Sequence, residues 1–129
     1  MNGLTHFEIP VNDIDKAKEF YSNLFDWEFN FIEEMNYLMF TTESEDGNSR
    51  VGGGIFKKQN ESHTITNYIT VKSLDESAKK VEELGGKIVM PKSAVPGMGW
   101  FVQFIDMDGN LLALWESDSE AKWKKVNLI

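Results

Sequence analysis

The chain has no cysteine, which removes disulfides, thiolate nucleophiles and cysteine-ligated metals together. It holds a single arginine, Arg50, and its 13 basic residues face 21 acidic ones for a formal charge of −8. Affinity for nucleic acid is built largely from lysine and arginine contacts to phosphate, so DNA and RNA are not expected partners. No apolar run approaches the roughly 18 residues that a membrane span needs. The start, Met1-Asn2-Gly3-Leu4-Thr5-His6, has no basic region followed by a hydrophobic run of the signal-peptide kind. No membrane partner and a cytoplasmic location are therefore expected. Among strong metal ligands only carboxylates and two histidines, His6 and His63, remain.

What is present suits one globular domain over residues 1–129, with 41% hydrophobic and 12% aromatic residues to build a core. The chain also repeats itself. Phe7-Glu8-Ile9-Pro10-Val11-Asn12-Asp13-Ile14-Asp15, moved along by sixty positions, lies on Asn67-Tyr68-Ile69-Thr70-Val71-Lys72-Ser73-Leu74-Asp75. Ile9/Ile69, Val11/Val71, Ile14/Leu74 and Asp15/Asp75 match, and Leu24 falls on Leu84. Each copy later carries an Asp-Gly-Asn turn, at 46–48 and at 108–110. Two related half-domains follow, module 1 over about 1–58 and module 2 over about 64–118, with a tail over 119–129.

In the first copy an alternating strand puts Phe7, Ile9 and Val11 on one face and His6, Glu8 and Pro10 on the other. A helix capped by Asn12 or Asp13 follows, with Ile14, Ala17, Tyr21 and Leu24 on its apolar stripe, and ends near Phe25. Three apolar runs, 27–32, 37–42 and 51–56, then read as strands, giving β-α-β-β-β. The second copy runs from a strand over 65–71 into a helix opened by Ser73 and Glu76 at capping-box spacing and stopped by Gly85-Gly86. Strands at 87–90, 100–106 and 111–116 complete it. The stretch 91–99, with Pro91, Pro96, Gly97 and Gly99, reads as irregular, and fits either an ordinary connection or the border of a ligand site. The polar segment 57–64 reads as a surface linker with His63 solvated. In the tail, Trp123, Val126 and Ile129 recur every third residue and need cover from the core or a partner subunit.

This order, with His6 in the first strand, Phe20-Tyr21-Ser22-Asn23-Leu24-Phe25, Gly85-Gly86 and Asp106-Met107-Asp108-Gly109-Asn110-Leu111, resembles the vicinal oxygen chelate superfamily of glyoxalase I, bleomycin-resistance proteins and extradiol dioxygenases. Gly52-Gly53-Gly54-Ile55-Phe56 and Gly97-Met98-Gly99-Trp100-Phe101 look most like its small glyoxalase-related members. The resemblance implies an α+β fold of two tandem β-α-β-β-β modules forming a curved eight-stranded cup, with the ligand on the concave face. It also implies subunits that pair, hence a homodimer.

The metal enzymes of that superfamily place ligands on the first and last strands of each module. His6 matches one such position, while Gly54, Thr66 and Ala113 stand at the other three. Glycine and alanine offer no donor and a neutral hydroxyl is a poor one, so neither a metal nor another cofactor is expected. Glu116 does not rescue the site, because alternation turns it to the opposite face from Ala113.

Strand parity aims His6, Glu8, Phe56, Thr66, Tyr68, Thr70, Ala113 and Trp115 at the cup, an aromatic surface with a few polar groups that suits a small organic ligand. His6 is either a satisfied polar residue at a strand end or a hydrogen-bond donor or general base. No nucleophile motif, phosphate loop or dinucleotide fingerprint is present. Gly52-Gly53-Gly54 opens no helix and reads as close backbone packing. The expected function is a glyoxalase-related protein that binds a small organic molecule without the metal, its reaction unassigned. The rivals are a metal-dependent lyase, isomerase or dioxygenase, and a drug-sequestering protein of the bleomycin-resistance kind.

Overall fold

The computed structural model describes residues 2–122; the tail residues Trp123, Val126 and Ile129 lie outside them. Along the chain run β1 (Leu4–Val11), α1 (Ile14–Leu24), β2 (Glu28–Ile32), a short 3-10 turn (Glu33–Met35), β3 (Tyr37–Glu43), β4 (Arg50–Lys57), β5 (Thr66–Thr70), α2 (Leu74–Glu83), β6 (Lys87–Val95), β7 (Gly99–Ile105) and β8 (Leu111–Ser117). The order β-α-β-β-β thus occurs twice, and the fold is α+β. The chain divides into two units, Leu4–Asn67 and Tyr68 onward, with Gly3 belonging to the second through Thr70 N–H donating to Gly3 O at 3.0 Å.

In the first unit the strands lie in the order β2-β3-β4-β1, with β2/β3 and β3/β4 antiparallel and β1/β4 parallel. Helix α1 supplies the crossover that a parallel pair requires. It starts where Asp13, in an extended conformation, accepts from Lys16 N–H at 3.1 Å, satisfying one of the orphan amides of a helix start. Ile9, Ala17, Leu38, Phe40 and Ile55 are buried together, with Phe7, Val11, Ile14, Tyr21, Trp27 and Phe29 packed on them. Among them, Phe7, Ile9 and Val11 of β1 and Ile14, Ala17 and Tyr21 of α1 are the residues that alternation and helical spacing assign to one core, whereas Leu24, expected on the same stripe, is exposed. Trp27 stacks on Phe40 at 4.5 Å, which ties β2 and β3 to the helix side.

The second unit repeats the arrangement as β5-β8-β7-β6, with β5/β8 parallel and the others antiparallel. Leu74, Val102 and Leu114 form its buried centre, and Ile69, Val71, Ala78, Val81, Ile88, Trp100 and Phe104 pack on it. Ser73 Oγ accepts from Glu76 N–H at 3.2 Å, the Ser73 half of the expected capping box. A second cap comes from a distant strand, since Glu116 Oε1 accepts from Leu74 N–H at 2.8 Å. The helix stops at Gly85, whose φ of +97° is strained for any other residue.

One segment departs from the expectation. Residues 91–95, read as irregular, continue strand β6 as far as Val95, and only the turn over 96–98 separates β6 from β7. Pro91 is accommodated because β6 is the outer strand of its unit and its register shifts between Ile88 and Met90 and again between Met90 and Ser93. Proline lacks an amide donor, and edges and bulges are where a strand does without one.

Candidate functional site

On the face of the first sheet opposite α1, the pairings His6↔Gly52 and Glu8↔Gly54 set two polar side chains beside two glycines. The residue that joins them is Tyr37, at the start of β3. Its hydroxyl donates to Glu8 Oε2 at 2.8 Å and lies 2.8 Å from His6 Nε2. A phenol has one proton, and that proton goes to Glu8, so His6 must donate its Nε2–H to the phenol oxygen. The result is a directed chain, His6 to Tyr37 to Glu8, which fixes the imidazole tautomer.

Gly54 makes this possible. A Cβ there would overlap the Tyr37 ring at Cζ, Oη and Cε2, so the ring lies across the bare backbone of Gly54. Gly53 does the same on the other face, where a Cβ would strike the Phe40 ring and Phe7 O. The glycine run is therefore room for two aromatic side chains, one in the core and one at the site.

Phe56 lies near the Tyr37 ring, 6.2 Å between centroids and 23° between planes. His63, expected to be solvated in the linker, is half-buried and sets its ring against Phe56 at 5.0 Å and 65°, while its Nδ1 accepts from Gln59 N–H at 3.3 Å. Burial disfavours the charged imidazolium of His6 and holds its pKa below the ordinary 6.5, with the nearby Glu8 carboxylate opposing this more weakly. The chain therefore rests with neutral His6 near pH 7.

His6, Glu8 and Phe56 thus come together on one face with Tyr37 and His63, which the sequence reading had not placed there. Tyr37 carried a signal: it begins an alternating strand in which Leu38 and Phe40 are core, which turns it to the same face as Met39 and away from the helix. Thr66, Tyr68 and Ala113 are buried, and Thr70 and Trp115 half-buried. In the second unit Tyr68 meets Phe101 edge-on at 6.0 Å. Trp115 Nε1–H donates to Ser117 Oγ at 3.0 Å, and its ring fills the space beside Gly99. Tyr68, Ala113 and Trp115 lie on the face opposite α2, since Ile69 and Leu114 between them pack under that helix.

The donors do not fit a divalent ion. Among the described residues no three His, Asp or Glu side chains are grouped as a metal site. At position 54, where the resemblance implies a ligand in the metal enzymes, the space of a side chain is taken by the Tyr37 ring. Ala113 ends in a buried methyl group, and Glu116 is committed to the start of α2. His6 Nε2 is engaged by Tyr37 Oη at 2.8 Å, so a metal at that nitrogen would have to displace the phenol.

The family model for the bleomycin resistance protein-like N-terminal region matches residues 4–43. An anthracycline biosynthesis protein of a Streptomyces species is 26% identical over 125 residues, covering 84% of this chain and 45% of that protein, so the chain spans less than half its length. The fosfomycin resistance protein FosX of Listeria innocua is 27% identical, with 98% of each chain covered. In structure, a glyoxalase/bleomycin resistance protein/dioxygenase superfamily member from Vibrio splendidus superposes with a TM-score of 0.63 at 13% identity, over 92% of this chain and 100% of that one. With its doubled β-α-β-β-β order the chain has the fold of the glyoxalase/bleomycin resistance protein/dioxygenase structure, and over residues 4–43 it is similar to the bleomycin resistance protein-like N-terminal family.

Proposed function

We propose that this protein binds a small organic molecule at the open sheet face of its first module, through Tyr37, His6, Glu8 and Phe56, and does so without the superfamily's metal ion. The observation that carries the proposal is the Tyr37 ring lying across Gly54 and bridging His6 to Glu8. It puts a polar hydrogen-bonding group, held by two partners, beside aromatic surface, which is the make-up of a small-molecule site. A ligand acceptor or donor that meets this chain exchanges one hydrogen bond for another at low cost, whereas a purely apolar surface would only collect grease.

The relatives are named for fosfomycin resistance and anthracycline biosynthesis, and both names point to small organic molecules. Thr66, Tyr68, Thr70, Ala113 and Trp115 complete the proposal as ligand-binding residues of the second module. Pairing of two copies and a cytoplasmic location belong to the same proposal, as does binding or sequestration rather than metal-assisted chemistry.

A thermal-shift screen of a small-molecule panel, run with and without divalent ions, tests it. Ligands are expected to raise the melting temperature by mass action, equally with and without the ions. Tyr37→Phe, which keeps the ring but breaks the chain, is expected to reduce the shifts. Hits that appear only with zinc, nickel or manganese, and that survive Tyr37→Phe, would replace this function with the metalloenzyme one.

A further inference from the structure

We infer that Asn2-Gly3 is a self-modification site, at which the folded chain converts Asn2 to aspartate or isoaspartate and so sets a new carboxylate beside the start of α2.

The reaction makes three demands on a site. The backbone nitrogen of the following residue attacks the side-chain carbonyl carbon, so that nitrogen must be open to approach, its N–H must be free to lose its proton, and the backbone must turn to close a five-membered ring. Asn2 is the asparagine of this chain that a glycine follows, and glycine has no Cβ in the way and turns most freely. Asn2 and Gly3 are exposed and precede β1, outside any helix or strand. A Cβ built on Gly3 would meet nothing within 4 Å, and among the described residues no hydrogen bond holds its N–H.

The comparable places are locked by the fold. Asn48 precedes Ser49, whose N–H donates to Ser44 Oγ at 3.0 Å. Two Asp-Gly pairs offer the same ring closure from a carboxyl group, but Gly47 N–H donates to Ser44 O at 2.9 Å and Gly109 N–H to Asp106 O at 3.1 Å. Asp46 is held further, since its Oδ1 accepts from Ser44 Oγ at 2.7 Å and from Asn48 N–H at 2.9 Å. Each of these turns must open before its nitrogen reaches the carbonyl carbon, whereas Asn2-Gly3 has nothing to open.

The step needs only water. Gly3 N gives up its proton and bonds to Asn2 Cγ, the Cγ–Nδ2 bond breaks, and ammonia leaves with a proton to give a cyclic imide. Water then opens the ring at Cγ, which yields aspartate, or at the main-chain carbonyl, which yields isoaspartate with the chain running through Cβ and Cγ. Either product adds one negative charge to the −8 of the chain. Asn2 borders a cleft with Lys72, Ser73 and Glu76, so the new charge enters beside one cation and one anion at the start of α2. The protein then exists in two charge forms whose ratio records its age.

The test incubates the whole folded protein in mildly alkaline buffer and follows it by isoelectric focusing and by peptide mass spectrometry that separates isoaspartate from aspartate. A more acidic band is expected to grow, with a gain of about 1 Da on the peptide that carries Asn2. Conversion at Asn48, and isoaspartate formation at Asp46 and Asp108, are expected to be at least about tenfold slower. In guanidinium chloride the lag at those three is expected to shrink, while the rate at Asn2 stays within about threefold of its folded value. Gly3→Ala, which meets nothing in the fold, is expected to leave stability unchanged and to slow conversion of Asn2 about tenfold. Conversion of Asn2 in the folded protein no faster than at Asn48 overturns the inference, as does a rate that Gly3→Ala leaves unchanged or that denaturant raises tenfold.

Discussion

The Tyr37 ring occupies the space that a side chain at position 54 would need. Gly54→Ala must therefore expel the ring and break its bonds to His6 and Glu8. The expected cost is about 2–4 kcal/mol, combining overpacking with stranded polar groups. Gly52→Ala is the comparison. A Cβ there meets only Phe40 O at 3.5 Å, so its effect is expected within about 1 kcal/mol of zero. Urea unfolding of the two variants checks the contrast, and equal stabilities would refute the packing relationship.

His6 gives the site a pH dependence whose sign follows from its burial. Its folded pKa is depressed below 6.5, so the unfolded chain takes up the proton first as pH falls. The stability contribution is full above the unfolded value of about 6.5 and is lost as pH falls towards the folded one. His6→Asn removes this titration. The difference in stability between wild type and variant is expected to be constant well above the unfolded value of about 6.5 and to shrink as pH falls below it, as read from urea midpoints at each pH. A difference that grows on acidification would mean that His6 is charged in the folded protein.

The modules were legible because two periodicities did the work: Phe7, Ile9 and Val11 at period two, and Ile14, Ala17 and Tyr21 at helical spacing, all meet in one core. Leu74 and Val81 repeat this in the second unit. Strand β6 was not legible past Met90, since a proline reads as a break unless the bulges that absorb it are known. The site was legible by parity for His6, Glu8 and Phe56. Tyr37 escaped because its role depends on a neighbour across the sheet that has no side chain, and sequence alone does not say which strand lies opposite Gly54. His63 escaped because a polar linker gives no sign of what lies beneath it.

Glu116 illustrates the same limit and yields a prediction. Its carboxylate accepts from Leu74 N–H at the start of α2, where negative charge also meets the positive end of the helix dipole. Glu116→Ala is expected to cost about 1–2 kcal/mol, and Glu116→Gln roughly half of that. Denaturant unfolding measures both. No loss in Glu116→Ala would mean that Ser73 alone satisfies the helix start.

The tail gives an expectation about assembly from sequence alone. Trp123, Val126 and Ile129 repeat at one spacing, and exposed apolar groups of that size are covered in stable proteins. Sedimentation velocity at micromolar protein is expected to report a homodimer, with a shift towards monomer on truncation after Lys122. A wild-type monomer removes the pairing from the proposed function.

Metal content is the sharpest discriminator between this chain and the metal enzymes of the superfamily it resembles. Holding a divalent ion requires several donors whose binding energy replaces the lost hydration, and structural or catalytic zinc takes three or four from the protein. Here position 54 is closed by a phenol ring, position 113 is a buried methyl group, and the nitrogen His6 turns to Tyr37 is already hydrogen-bonded to the phenol. Dialysis against zinc, nickel, manganese or iron, followed by buffer exchange and elemental analysis, is expected to leave substoichiometric metal in the wild type and no less in His6→Asn. Chelator treatment should leave the melting temperature unchanged. One equivalent that depends on His6 would require Tyr37 to swing off Gly54 and release the imidazole, and Tyr37→Phe would then raise the metal affinity instead of leaving it negligible.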